Sequence, residues 1–159
     1  MRIRRDSVAK VDDLDLMILS ELSADASISV PKLSEKIKVN SSVVYSRIKR
    51  LVKRKLIERF TIVVNDQELG YQVKALIGLN MDSKKRDNVI DALFEIQGVR
   101  EIAEVTGRFD ILVTVYAHAL EEMHKIVSDS IGKIDGVISS ESFIEMKTRE
   151  KAMPYMPSK

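Results

Sequence analysis

Residues 40–55, NSSVVYSRIKRLVKRK, hold six Lys or Arg and no acid. Short polar groups come first, at Ser41, Ser42, Tyr45 and Ser46, and the cations begin with Arg47, Lys49, Arg50 and Lys53. The chemistry within reach of such a set is recognition of a polyanion. Lys and Arg neutralise phosphates and read guanine, while hydroxyls meet phosphate oxygens or base edges. The plainer alternative is a solvated basic face. Against it stands the scarcity of acids, since Glu58 is the only one between Glu35 and Asp66.

A second candidate is TGRFD, Thr106 to Asp110. Gly107 supplies positive φ and lets a ligand approach the backbone; Thr106 and exposed amides can bind a carboxylate, and Asp110 can accept an ammonium group. Those are the two ends of an amino acid. Taken alone, the same five residues also suit an ordinary hairpin turn.

Other chemistries find little support. The chain has no Cys, which removes disulfides and thiolate metal sites. His118 and His124 are its only histidines, and neither belongs to a metal-ligand spacing or a nucleophile–base arrangement. No glycine-rich phosphate loop is present. The expectation is therefore no enzyme, no metal and no cofactor. With 45% apolar and 31% charged residues the chain reads as folded. It lacks both a run of roughly 20 apolar residues that would span a bilayer and an apolar segment behind the N-terminal charges. A cytoplasmic location without membrane association is expected.

The elements that must carry these residues follow from caps and periodicity. Asp12 or Asp13 caps a helix with Leu14, Met17, Ile18 and Leu22 at helical spacing to about Ala24. Ser29 caps a second, with Pro31 in its first turn and Leu33 and Ile37 buried up to Lys38. Asn40 caps a third, running to about Arg54. On that helix Val44, Ile48, Leu51 and Val52 gather on one side, and Ser42, Tyr45, Ser46, Lys49 and Lys53 lie opposite, flanked by Arg47, Arg50 and Arg54. Two short helices and a tight link before the third make a helix-turn-helix, whose last helix enters the major groove. LIERFTIVVN is β-rich and reads as a wing or connector strand, ending in the turn-like NDQELGY. The leading MRIRR is either a phosphate-seeking arm or a frayed tail.

Beyond Gly70 the pattern is β-α-β-β-α-β. Strands are expected over QVKALIGLNM, VREIAEVT, FDILVTVYA and GVISSESFIEMKT, with one helix carrying Val89, Leu93 and Ile96 and another carrying Leu120, Met123, Val127 and Ile131 from about Ala119 to Ile134. This ferredoxin-like order leaves one sheet face uncovered, which implies a homodimer. Charge divides along the same line. Residues 1–65 carry 14 Lys+Arg against 8 Asp+Glu, and residues 66–159 carry 12 against 16. The expected organisation is a helix-turn-helix DNA-binding domain over 1–58, a β connector over 59–71 and a ferredoxin-like domain over 72–159.

In this order and spacing, VDDLDLMILSEL, NSSVVYSRIKRL, LIERFTIVVNDQELGY and VTGRFDILVTVYA resemble the Lrp/AsnC family of transcription regulators. The resemblance implies an α+β protein, with a winged helix-turn-helix domain joined by a β hinge to an α/β sandwich that dimerises and assembles further, often to an octamer. It implies double-stranded DNA with pseudo-palindromic sites as partner, contacted by Ser41, Ser42, Tyr45, Ser46, Arg47, Lys49 and Arg50. It also implies an effector, usually an amino acid, bound near Val105, Thr106, Gly107, Arg108, Phe109 and Asp110, with Ser140 and Ser142 facing them. Ala26, Lys38 and Lys55 stand where relatives commonly have glycine, and Arg108 where many have an acid or a small polar residue. A constitutive DNA-wrapping protein with the same helices but no effector response is the closest rival reading.

Overall fold

In the computed structural model the described residues are 11–149 and Tyr155; the MRIRR arm lies outside them. They form two compact units, residues 11–63 with Tyr155, and Val64–Arg149.

Three helices make the first unit: α1 Asp13–Ala24, α2 Val30–Ile37 and α3 Ser41–Lys53. Each begins where a polar side chain can satisfy backbone N–H groups that have no intrahelical acceptor. Asp12 and Asp15 form a reciprocal capping box on α1, Ser29 accepts from Lys32 N–H on α2, and Asn40 accepts from Ser42 N–H on α3. Pro31 sits in the first turn of α2. Lys38 ends that helix in the left-handed conformation at φ 55°, and Lys55 follows α3 at φ 56°, so two lysines do adopt the geometry glycine favours. Ala26 is not among the positive-φ residues.

Ile18, Leu33, Ile37, Val44 and Leu51 form the core of this unit, with Leu14, Leu22, Ile28, Ile48 and Ile57 packed around them. Two expected core residues lie outside it: Met17 is 41% exposed and Val52 42%. Each is the immediate neighbour of a fully buried residue, Ile18 or Leu51, and one residue along a helix is a rotation of about 100°. The expected strand over LIERFTIVVN is absent. Its residues run without a sheet partner among those described, and Phe60, Ile62, Val63 and Val64 stay exposed. A β-propensity run becomes a strand only when a second strand satisfies its backbone groups. The turn after it forms as expected, with Tyr71 N–H donating to the Asp66 carbonyl.

The second unit is a four-stranded antiparallel sheet in the order β2-β3-β1-β4, with β1 Val73–Met81, β2 Val99–Glu104, β3 Ile111–Ala117 and β4 Val137–Ile144. Helices α4, Arg86–Phe94, and α5, Leu120–Lys125, cover one face. Alternation decides which residues meet them: Ala75, Ile77, Leu79 and Met81 of β1 and Ile111, Val113, Val115 and Ala117 of β3 are buried with Val89, Leu93, Met123 and Ile131. The last helix is not regular. After α5 the chain makes a π turn at Ile126–Ser130 and a 3-10 turn at Ile131–Lys133. The buried residues of this stretch are Met123, Ile126 and Ile131, with Val127 partly buried, and Leu120, at the first position of α5, is 58% exposed where the uniform period placed it inward. Among the described residues no helix is long and apolar enough to cross a membrane.

Leu51 is the larger of the two fully buried side chains that fasten α3 to the other two helices. Leu51→Ala should cost about 2–5 kcal/mol. Hydrogen exchange should then show protection lost across α1, α2 and α3 while amides of β1 and β3 keep theirs.

Candidate nucleic-acid interface and effector site

On α3 the buried side is Val44 and Leu51, with Ile48 partly buried. The outward side is Ser42, Tyr45, Ser46, Lys49 and Lys53, all exposed, which is the partition the helical period predicts. The Lys49 ammonium lies 4.6 Å from the Tyr45 ring centroid, so the phenol and the cation form one surface element. Ser42 also serves the cap, its hydroxyl donating to Asn40 Oδ1 at 2.7 Å. The Ser41 hydroxyl is 2.7 Å from that of Ser34 on α2 and binds the two helices together instead of facing outward.

The two arginines have partners that local sequence does not show. Asp15 is fully buried, and its carboxylate accepts from Arg50 Nη2 at 2.7 Å and from Arg47 Nη1 at 3.2 Å. Arg47 also pairs with Asp12. Its guanidinium holds the Asp12 carboxyl below the usual carboxylate range, aided by the Asp15 backbone N–H, and the Asp12 carboxylate in turn raises Arg47. The scarcity of acids near α3 in sequence therefore misled for these two cations. The outward cations Lys49 and Lys53 make no ion pair with an acid among the described residues.

In the second unit the turn between β2 and β3 carries Val105 to Asp110. Gly107 has φ 135° and open space where a side chain would start. Phe109 folds back over the sheet face that the helices leave uncovered. A Cβ at Gly78 would come within 2.6 Å of its ring, so the ring occupies room that glycine leaves. Phe143 meets it edge-on at 6.2 Å. Arg108 lies 5.3 Å over the Phe109 ring and pairs with Glu141 at 2.5 Å. Asp110 differs from the sequence expectation: its carboxylate accepts from Met81 N–H at 3.0 Å and its own N–H donates to the Leu79 carbonyl. It anchors the turn to the end of β1.

Ser140 and Ser142 do not share the face of Phe109. Their cross-strand partners are Leu79 and Ile77, both on the helix-covered side, whereas Glu141 pairs with Gly78 and Phe143 with Leu76 on the open side. Glu141, Phe143 and Gly78 were the residues missed. The alternation in SSESF was the available signal, but only the register says which half of it faces the turn.

His118 stacks on Tyr71 at 4.5 Å, and its ring Nδ1 and backbone N–H both meet the Glu122 carboxylate, which they hold below the usual range. Among the described residues no group of three or more acidic, His or Cys side chains could hold a metal ion. A groove of about 890 Å³ runs beside α1 and residues 56–63. Leu16, Leu19, Leu22, Phe60 and Ile62 make its walls largely apolar, so it offers less than the 105–110 turn for orienting a charged metabolite.

Comparison with known proteins follows the same two units. A family model described as winged helix-turn-helix DNA-binding matches residues 11–58, and one described as the Lrp/AsnC ligand binding domain matches residues 74–155. The chain is 33% identical to the HTH-type transcriptional regulator LrpA of Pyrococcus horikoshii, over 80% of this chain and 90% of that one. It is 30% identical to regulator FL11 of Pyrococcus furiosus, over 89% and 93%. Among solved structures, Escherichia coli AsnC superposes with TM-score 0.82 at 23% identity, covering 91% of this chain and 98% of that one. A Neisseria meningitidis transcriptional regulator in complex with L-Met superposes with TM-score 0.85 at 18% identity, covering 90% and 94%.

The Asp12–Arg47 pair gives the first unit an acid-sensitive contribution. Because Asp12 is held below its ordinary 3.8, that contribution is complete above this value and is lost as pH falls through the lower, folded-state value. Chemical denaturation should therefore show a constant stability difference between the native chain and Asp12→Asn from about pH 8 to 5, shrinking steadily below about pH 4.

Proposed function

The chain belongs to the Lrp/AsnC family of transcription regulators, and from that premise we propose that it grips operator DNA with the outward side of α3 and answers to an amino acid held at the 105–110 turn. It is a DNA-binding transcriptional regulator with a ligand-binding domain, and its relatives are named as regulators, not as enzymes. The observation that carries the DNA assignment to residues is the row Tyr45, Ser46, Lys49 and Lys53, exposed on a helix whose opposite side is the core of the unit. Lys49 and Lys53 would meet phosphates; Tyr45, Ser46 and Ser42, nearer the helix start, would reach base edges. Arg47 and Arg50 would chiefly hold the helix in place through Asp12 and Asp15, with their remaining donors available to the backbone of the duplex.

Two copies of the chain would present two such helices and read a pseudo-palindrome with half-sites one or two helical turns apart. The uncovered sheet face, with Leu76 39% and Phe143 44% exposed, supports assembly through the second unit, and growth to an octamer is the proposed end state. The L-Met complex of the Neisseria regulator supports an amino acid as effector. The ligand would act by favouring one assembly over another, because only a difference in affinity between states shifts an equilibrium.

Tyr45→Ala and Lys49→Ala should each weaken binding to a defined operator while leaving the thermal midpoint near that of the native chain. Fluorescence anisotropy against salt should give a steep fall in log affinity for the native protein, and Lys49→Ala should reduce that slope by about 1. A flat salt dependence would remove the phosphate assignment. Calorimetry against the twenty amino acids, with footprinting in their presence and absence, separates a regulator from a constitutive wrapping protein. The wrapping protein would bind no amino acid and protect long tracts regardless of ligand.

A further inference from the structure

We propose that Lys38 and Lys55 are further DNA-contacting residues, one at each end of α3, gripping phosphates on the two walls of the groove that this helix enters. The proposal rests on the DNA reading above and deepens it by adding contacts outside the outward row of α3.

The two lysines stand in the same local structure. Lys38 N–H donates to the Glu35 carbonyl at 3.3 Å and Val39 N–H to that of Ser34 at 3.0 Å; Lys55 N–H donates to the Val52 carbonyl at 2.9 Å and Leu56 N–H to that of Leu51 at 3.0 Å. Each pair closes a helix end by reaching back three residues and five, and it needs a left-handed residue at its centre. Lys38 and Lys55 supply it at φ 55° and 56°, the only non-glycine residues with positive φ among those described. That conformation is disfavoured for an L side chain and free for glycine, and asparagine tolerates it because its amide can bond locally. A lysine side chain offers the turn nothing comparable. Both are exposed, and neither ammonium bonds or pairs with another group among the described residues. A disfavoured residue with no task inside the turn points to a task outside it.

The surrounding charge identifies that task. Lys36, Arg47 and Arg50 are held by acids, at Glu21, Asp12 and Asp15. Lys38 and Lys55 are not, so they join Lys49 and Lys53 as uncompensated positive charge at α3. Length supplies the geometry. α3 has 13 residues and is therefore about 20 Å long, whereas the major groove is about 12 Å wide. Its middle faces the bases, and its ends come to the walls where the phosphates lie. A compact ammonium on a flexible stem suits a phosphate oxygen reached from a turn. Such contacts carry no sequence information, but they fix the helix lengthwise so that Tyr45 and Ser46 meet the same base pairs each time.

Fluorescence anisotropy of the full chain on a labelled duplex of random sequence, across a salt series, provides the test, with thermal denaturation of the same samples. Lys38→Gly and Lys55→Gly should each lower affinity about threefold to tenfold and flatten the salt slope by about 1 for each α3 engaged. Their thermal midpoints should rise, because glycine relieves the left-handed conformation. Weaker binding by a more stable protein is a signature that a merely structural lysine would not give. Lys38→Asn and Lys55→Asn, which suit the turn and drop the charge, should show the same loss; Lys38→Arg and Lys55→Arg should bind as the native chain does. If the Gly and Asn variants keep native affinity while the native chain retains a steep salt dependence, the proposal falls and the DNA reading stands. Equal losses in the Arg and Gly variants, or losses that only accompany lowered midpoints, would overturn it in the same way. An effect at one position alone would overturn the two-sided grip. Native affinity that is flat against salt would overturn both readings.

Discussion

A buried carboxylate governs the DNA-binding unit. Asp15 is closed off from water within the three-helix core and would be strongly disfavoured there as an ion without compensation. Arg47 and Arg50 supply it from α3, and the Asp12 backbone N–H adds a long contact from the start of α1. Apolar contacts such as Val44 with its neighbours tolerate small rotations of a helix. A charge that needs two guanidinium groups in set positions does not. The pairing reinforces the orientation that buried Val44 and Leu51 already give α3, with Tyr45, Ser46, Lys49 and Lys53 outward.

That constraint also revises the meaning of the basic composition. The surplus of cations in residues 1–65 overstates what a duplex would meet, because part of it is spent against acids on α1. Lys49 and Lys53 are the solvent-facing share on α3. Compact ammonium groups on flexible stems suit a phosphate backbone, whereas the planar forks of Arg47 and Arg50 suit fixed carboxylates within the fold. Division of labour between the two cation types follows from their geometry.

In the second unit the comparable constraint is a missing side chain. Gly78 lies on the open face of β1, and the Phe109 ring fills the room above it. The turn is thereby pinned from two directions, by the ring on the face and by Asp110 on the end of β1. Gly107 and Arg108, just before those anchors, remain exposed. A turn anchored at two points with an exposed tip would need less ordering on meeting a ligand than an unanchored loop.

The amino-acid sequence by itself determined what is local. Caps at Asp12, Ser29 and Asn40, the buried stripe of Val44 and Leu51 and the order of strands and helices in the second unit all follow from neighbours within a turn or two, where stereochemistry and periodicity act. Tertiary structure decided what depends on partners far along the chain. Arg47 and Arg50 meet acids 32 to 35 residues away. Asp110 became an anchor because β1 ends beside it, and Ser140 and Ser142 fell on the far face because the register with β1 places Glu141 and Phe143 on the near one. Residues 56–65 had the composition of a strand and, among the described residues, no strand to pair with. Side-chain type states what a group can bond; only the assembled chain states which bond it has already made.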